Sequence, residues 1–131
     1  MNIKHTYATN NRPYGNRIVD ANYVIIDIDK YYKQLIEEEG WQKNDRTGIT
    51  LFKTDETAIV LTTLHAGTMI PSSLSDEIII IQVIDGLIEL TLQGVKIPME
   101  KRQLVVVHAG IQYAVSAIEN ATLIINTVKK C

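Results

Sequence analysis

From Gly48 onward the chain is a succession of short apolar segments, each rich in Val, Ile and Thr and each followed by a turn signal. The segments read GITLFK, TAIVLTTLHAG, EIIIIQVIDG, LIELTLQG, VKIPM, RQLVVVHAG, IQYAVSAI and NATLIINTVK. Short runs of this composition, separated by Gly, Asn and Asp, are typical of β-strands. About eight such strands at regular spacing predict an all-β sandwich or barrel.

The dipeptide Asp85-Gly86 stands between two of these apolar segments. Such a pair favours a two-residue hairpin turn, because a type I′ turn needs residues that tolerate positive φ. We therefore predict that the strands on either side of Asp85-Gly86 form a hairpin.

The segment EIIIIQVI is apolar at odd and at even positions from Ile78 to Ile84, apart from Gln82. Successive side chains of a strand lie on opposite faces, so both faces of this strand must be covered. An N-terminal helix and arm can cover part of the outer face. A second subunit is the natural cover for the rest, and we predict a homodimer.

The first third of the chain has a different pattern. Residues 1–16 are polar and predict an arm or loop, and residues 23–28 form a short β-like run. Apolar positions at helical spacing predict one short α-helix over about 29–39, with Asp29 as its N-cap and Gly40 as its C-terminal stop. We expect residues 1–46 to pack as arm, strand and helix on a β-barrel of residues 47–131, in one domain.

Composition excludes several classes of partner. The 131 residues carry a formal net charge of −2 with no basic stripe, which argues against a nucleic-acid partner. No apolar run approaches the length of a membrane span, and the polar N-terminus does not resemble a signal peptide. The one cysteine cannot form an internal disulfide. Together these features predict a cytoplasmic protein with no membrane partner.

Two spacings within residues 47–128 resemble the motifs of the cupin family. The first motif reads Gly, five residues, His-x-His, three or four residues, Glu, six residues, Gly, and its spacing fits from Gly67 to Gly86. The second reads Gly, five residues, Pro-x-Gly, two residues, His, and fits from Arg102 to Tyr113. The chain thus resembles small single-domain, RmlC-like cupins. The resemblance implies a cupin-type double-stranded β-helix, a jelly-roll barrel.

The same resemblance implies four metal-ligand positions, and this sequence has different residues there. The motif histidines fall on Ser73, Ser75 and Tyr113. The motif glutamate falls on Ile79 or, with one more residue of loop, on Ile80. Hydroxyls and an aliphatic side chain are poor substitutes for the imidazole and carboxylate that divalent metals prefer. We therefore predict no metal site and no cofactor. Glu77 would share the face of Ile79 if the strand extended that far.

Several functions remain open from the sequence. The first hypothesis is a metal-free module that binds or senses a small molecule in the barrel, or a cupin that has lost its activity. The alternative is a metal-free isomerase or epimerase with Tyr113 as acid and His65 as base, and a metal-dependent cupin enzyme is the third. We assign no catalytic residue. The candidate ligand-binding residues are Tyr113, Ser73, Ser75, Ile79, Ile81 and His65.

Tyr113 itself has two interpretations. Its hydroxyl could contact a ligand, or the ring could fill the space of a metal and bond Ser73 or Ser75. His108 takes the proline position of the second motif, and we expect it to be an exposed turn residue.

Overall fold

The computed structural model describes residues 3–6 and 17–129, apart from the side chains of His5, Ser72 and Ser73. These residues form two helices, α1 (Ile28–Glu37) and α2 (Glu39–Lys43). They also form the strands β1 (Lys4–Thr6), β2 (Arg17–Asp20), β3 (Arg46–Lys53), β4 (Thr57–Leu64), β5 (Met69–Ser73), β6 (Glu77–Asp85), β7 (Leu87–Leu92), β8 (Val95–Glu100), β9 (Leu104–Val107), β10 (Tyr113–Ala117) and β11 (Ala121–Lys129).

The long strands form two antiparallel sheets. One sheet has the order β5-β10-β7-β8, and the other has the order β3-β4-β11-β6-β9. Strands β1 and β2 form a separate two-stranded ribbon. The non-sequential order means that the chain repeatedly crosses from one sheet to the other. The predicted all-β, jelly-roll architecture is confirmed.

The main core lies between the two sheets, and its buried residues come from β4 and from β6 to β11. On β6 the inward residues are Ile79, Ile81 and Val83, whereas Ile78, Ile80 and Ile84 on the other face are only half-buried. We call the buried set between the sheets the interior cluster. Its members are Leu64, Ile79, Ile81, Val83, Ile88, Leu90, Met99, Val107, Val115, Ala117, Ala121 and Leu123.

Helix α1 covers part of the outer face of the five-stranded sheet. Leu35 is fully buried there, 0% exposed, in a second cluster with Ile49, Leu51 and Leu61. The helix begins after Asp27, whose side chain accepts a hydrogen bond from the Lys30 backbone N–H at 3.3 Å. Strand β9 lies beyond the reach of this cluster, at the opposite edge of the same sheet.

The N-terminal third departs from the sequence prediction in its details. The N-cap of α1 is Asp27 and not Asp29, and Gly40 lies inside a second helix, α2, that the pattern did not predict. The predicted β-like run at 23–28 is not a strand. The strand in this region is β2, which ends at Asp20. Residues 1–2 and 7–16 of the predicted arm lie outside the described residues.

The predicted hairpin at Asp85-Gly86 is wrong, because β6 and β7 belong to different sheets. Gly86 has φ +86°, and a Cβ added there would lie 2.2 Å from the Asn120 carbonyl oxygen. The residue is therefore glycine because of a crossover turn packed against backbone. The two-residue turn with positive φ is at Gln93 and Gly94, between β7 and β8.

Candidate functional site

Tyr113 is the first residue of β10 and lies at one end of the barrel. Its Cα partners are Ser73 of β5 on one side and Leu92 of β7 on the other. The ring shares the inward face with Val115, and it is half-buried against the interior cluster. The structure thus brings together two of the positions that match the cupin motifs, in directly opposed strands.

Ser75 lies in the loop between β5 and β6, next to the loop between β9 and β10. Its carbonyl accepts a hydrogen bond from the Gly110 backbone N–H at 2.8 Å, which ties the two loops together. Its hydroxyl accepts from the Glu77 backbone N–H at 3.0 Å, an ordinary turn interaction. His108 opens the second loop and is exposed, as the sequence predicted.

A cavity of about 630 Å³ lies between these two loops. This volume falls within the range of roughly 300 to 1,000 Å³ that is usual for sites of small ligands. Its lining residues are Leu74, Ser75, Asp76, Ala109 and Gly110. Both loops come from segments that match the spacing of the cupin motifs. The individual lining residues other than Ser75 were not predicted.

The isoleucine candidates are interior residues at this end of the barrel. Ile79 is 4% exposed and Ile81 is 1% exposed, and both face the space between the sheets. Ile79 pairs with Val107 of β9, the last residue before the loop that carries His108. An aliphatic side chain offers neither a hydrogen bond nor a lone pair, and neither residue lines the cavity, so both are core residues.

Glu77 is the first residue of β6, so the strand does extend far enough to place it on the face of Ile79. It is half-buried, and its Cα partner across the sheet is Lys129. Both residues line a second cavity of about 320 Å³ whose other walls include Lys53, Asp55 and Glu56. The strand alternation pointed to Glu77, but the sequence analysis did not include it among the candidates.

His65 lies at the other end of the barrel from Tyr113. Strand β10 runs from Tyr113 to Ala117, whose carbonyl accepts from the Gly67 backbone N–H at 2.8 Å, two residues beyond His65. Five residues of strand span about 13 Å. The structure therefore does not bring His65 and Tyr113 together as an acid–base pair, and the hypothesis of an isomerase on these two residues loses its geometric basis.

The His65 ring has its own, well-defined surroundings. It stacks on Trp41 with ring centroids 3.5 Å apart and an interplanar angle of 14°. Its Nε2 lies 2.5 Å from the Trp41 carbonyl oxygen. The half-buried Trp41 thus holds α2 to the end of the barrel, which agrees with an anchoring role for this residue.

The positions that the resemblance assigns to metal ligands do not present a donor set for a divalent cation. Ile79 has no donor atom, and the Ser75 hydroxyl is engaged with the Glu77 backbone. In the described part of the chain, no three His, Cys, Asp or Glu side chains lie close enough to hold a metal ion. The residues present do not fit the metal that cupin motifs usually hold.

No family model and no curated protein matches the sequence, but many solved structures match the fold. A conserved protein of unknown function from Streptococcus pyogenes has a TM-score of 0.69 and 20% identity, over 96% of this chain and 97% of that chain. The Schizosaccharomyces pombe Cnp3 cupin domain has a TM-score of 0.65 and 17% identity, over 99% and 89%.

A cupin superfamily protein from Desulfitobacterium hafniense has a TM-score of 0.64 and 16% identity, over 66% of this chain and 80% of that chain. The covered 66% of this chain is about as long as the β-barrel without the N-terminal helices and ribbon. None of the helices in the described part of the chain is long and apolar enough to cross a membrane. The likenesses in backbone and the two facing antiparallel sheets show that this chain has the fold of the cupin superfamily.

Proposed function

We propose that this protein binds a small molecule, without a metal ion, at the barrel end that carries Tyr113. The observation that carries the proposal is the cavity of about 630 Å³ between the β5–β6 and β9–β10 loops. Ser75 lies in the first of these loops, and Ser73 and Tyr113 are the strand residues that adjoin the two loops. The site therefore uses the usual functional end of the fold with a different chemistry.

The chemistry of this end suits a ligand with an apolar body and a few polar groups. Leu74, 67% exposed, and Ala109 offer apolar surface in the lining of the cavity. Tyr113 begins β10 directly after the second loop, and its phenol hydroxyl is both donor and acceptor. The rim adds the carboxylate of Asp76 and backbone groups of Gly110. An apolar pocket with few convergent polar groups is the usual composition of a small-molecule site.

The proposal is tested with a thermal-shift screen of amino acids and organic acids against three proteins. Ala109→Trp fills the proposed cavity, and Lys101→Trp places the same side chain at an exposed residue of the β8–β9 turn, outside the cavity. A ligand of this site raises the midpoint of unfolding of the wild type and of Lys101→Trp, but not that of Ala109→Trp. Hits from this screen that survive Ala109→Trp would contradict the proposed location.

Elemental analysis of protein purified without added metal tests the metal-free part of the proposal. We expect iron, manganese, nickel and zinc well below one equivalent per chain. A stoichiometric amount of any of them would instead support a metal-dependent cupin enzyme with ligands outside the motif positions.

We also propose that the protein is a homodimer through the outer face of β6 and β9. Leu104 and Val106 on β9 are 56% and 52% exposed, and Val106 pairs with the half-buried Ile80 on the same face. This surface consists of apolar side chains on an edge strand, and a second copy can supply the same surface by two-fold symmetry.

A cytoplasmic location and the absence of a nucleic-acid partner stay predictions of the sequence.

A further inference from the structure

A third concave surface lies at the opposite end of the barrel from Tyr113. It has a volume of about 480 Å³ and lies between the α2–β3 loop and the β4–β5 turn. We call it the His65 cleft, and its lining includes Gln42, Asn44, Asp45, His65, Thr68 and Met69. It shares no residue with the cavity between the β5–β6 and β9–β10 loops.

Hydrogen bonds hold the two walls of the His65 cleft together. The Asp45 carbonyl accepts from the His65 backbone N–H at 2.9 Å and from the Thr68 hydroxyl at 2.9 Å. Thr68 is almost fully buried, so this connection is protected from water. The wall positions are therefore fixed before any ligand arrives, which lowers the entropic cost of binding.

The imidazole of His65 is fixed in both orientation and tautomer. Its Nε2 lies within hydrogen-bond distance of the Trp41 carbonyl, and a carbonyl oxygen can only accept, so Nε2 carries the proton. The neutral ring then has Nδ1 as a hydrogen-bond acceptor. Stacking on Trp41 holds the plane of the ring. His65 is thus a residue of fixed ring orientation in a cleft whose lining residues include the acidic Asp45.

The charge and polarity of the lining select a class of ligand. The described lining residues include the carboxylate of Asp45 and the amides of Gln42 and Asn44, and they include no lysine or arginine. An anion would meet repulsion from Asp45 with no cation to offset it. Acceptors at His65 and Asp45 instead require a ligand that donates hydrogen bonds. Met69, 64% exposed, offers apolar surface for the carbon skeleton.

From this geometry we infer that the His65 cleft binds a small polyhydroxylated molecule that carries no negative charge, such as a neutral or amino monosaccharide. Vicinal hydroxyls donate to the His65 Nδ1 and to the Asp45 carboxylate, and they accept from the side-chain amides. The site is independent of the proposed function at Tyr113, because it lies at the other end of the barrel.

Three matched sugars test this inference: glucose, glucosamine and glucuronate, titrated separately into the full-length protein. Backbone amide shifts in NMR spectra locate binding, and the fluorescence of Trp41, the chain's one tryptophan, gives a second signal. We expect glucose and glucosamine to shift the amides of 42–45 and 65–69 with millimolar affinity, and glucuronate to bind more weakly. Galactose, mannose and myo-inositol extend the neutral set.

Two charge-removing variants sharpen the test. Asp45→Asn removes the carboxylate but keeps the backbone carbonyl that holds the cleft, so glucuronate binding should tighten by about two- to fivefold. Asp55→Asn, at the exposed β3–β4 turn, is the matched control and should leave the affinities unchanged. His65→Phe keeps an aromatic ring on Trp41 and should abolish the shifts caused by glucose.

Two results would overturn the inference. One is the absence of shifts in 42–45 and 65–69 with any neutral sugar at its highest soluble concentration. The other is a set of shifts confined to 74–76 and 109–113, which would assign sugar binding to the Tyr113 end and so support the proposed function alone.

Discussion

At the scale of single residues, substitutions of Tyr113 distinguish a barrel end that is open to ligand from one that is filled by side chains. Tyr113→Ala removes a half-buried ring from the interior cluster and should lower the free energy of unfolding by about 2 kcal/mol. Tyr113→Phe keeps the ring. If the hydroxyl contacts ligand rather than protein, as we propose, the cost of this substitution should stay below about 0.5 kcal/mol. Urea denaturation of both variants measures the difference. Equal costs would mean that the hydroxyl is bonded inside the barrel.

Two glycines with positive φ provide a second comparison. Gly86→Ala would place a Cβ 2.2 Å from the Asn120 oxygen at φ +86°, and should lower the free energy of unfolding by about 3 kcal/mol or more. Gly94→Ala has φ +80° but no atom within 4 Å of the new Cβ, so only the backbone conformation contributes, about 1 kcal/mol. Similar losses in urea denaturation would show that the Gly86 turn relaxes away from Asn120.

The sequence indicated which face of a strand a side chain lies on better than it indicated which end of the barrel the residue occupies. Alternation in EIIIIQVID grouped Ile79 and Ile81 on one face, and the resemblance to cupins identified that face as the inner one, where the structure has them. The motif spacing correctly assigned Tyr113 to an inward position opposite Ser73. The sequence analysis grouped His65 with Tyr113 as a pocket residue, but His65 lies at the other end of the barrel. Face alternation could not reveal this, because it contains no information about which end of a strand meets which loop.

At the scale of elements, the start of α1 depends on its capping residue. Asp27 has an extended backbone, and its carboxylate accepts from the Lys30 N–H, so Asp27→Ala should destabilise the protein by about 1 kcal/mol. Asp29 lies inside the first turn, so Asp29→Ala loses only a favourable interaction with the helix dipole, about 0.3 kcal/mol. Thermal unfolding compares the two. A larger loss for Asp29→Ala would restore the sequence-based N-cap.

Turn chemistry alone did not reveal how the strands connect. Both Asp85-Gly86 and Gln93-Gly94 resemble hairpin turns, yet only the second joins two neighbouring strands of one sheet. The first needs glycine because the chain passes close to Asn120 as it crosses between sheets. A local signal reports the backbone conformation of two residues, whereas sheet membership depends on contacts far apart in the sequence.

At the scale of the whole molecule, the apolar outer face of the five-stranded sheet is the basis for the proposed dimer. The outer face of the five-stranded sheet is apolar along β3, β4 and β11 where α1 packs on it. Along β6 and β9 it is also apolar, but no described residue of the chain covers Leu104 and Val106 to the same extent. The inner face of β6 is thus covered within the chain, and a second copy is the cover that we propose for its outer face.

Val106→Asp tests whether a second copy supplies that cover. We expect the wild type to have twice the monomer mass by light scattering at micromolar concentration. A carboxylate buried without a partner at the dimer interface should weaken association by about 3 kcal/mol, roughly a hundredfold, and give a monomer. Ile118→Asp is the matched control, since Ile118 is likewise 52% exposed but follows β10 on the other sheet, and it should remain dimeric. A monomeric wild type, or a monomer produced by Ile118→Asp alone, would contradict the proposed interface.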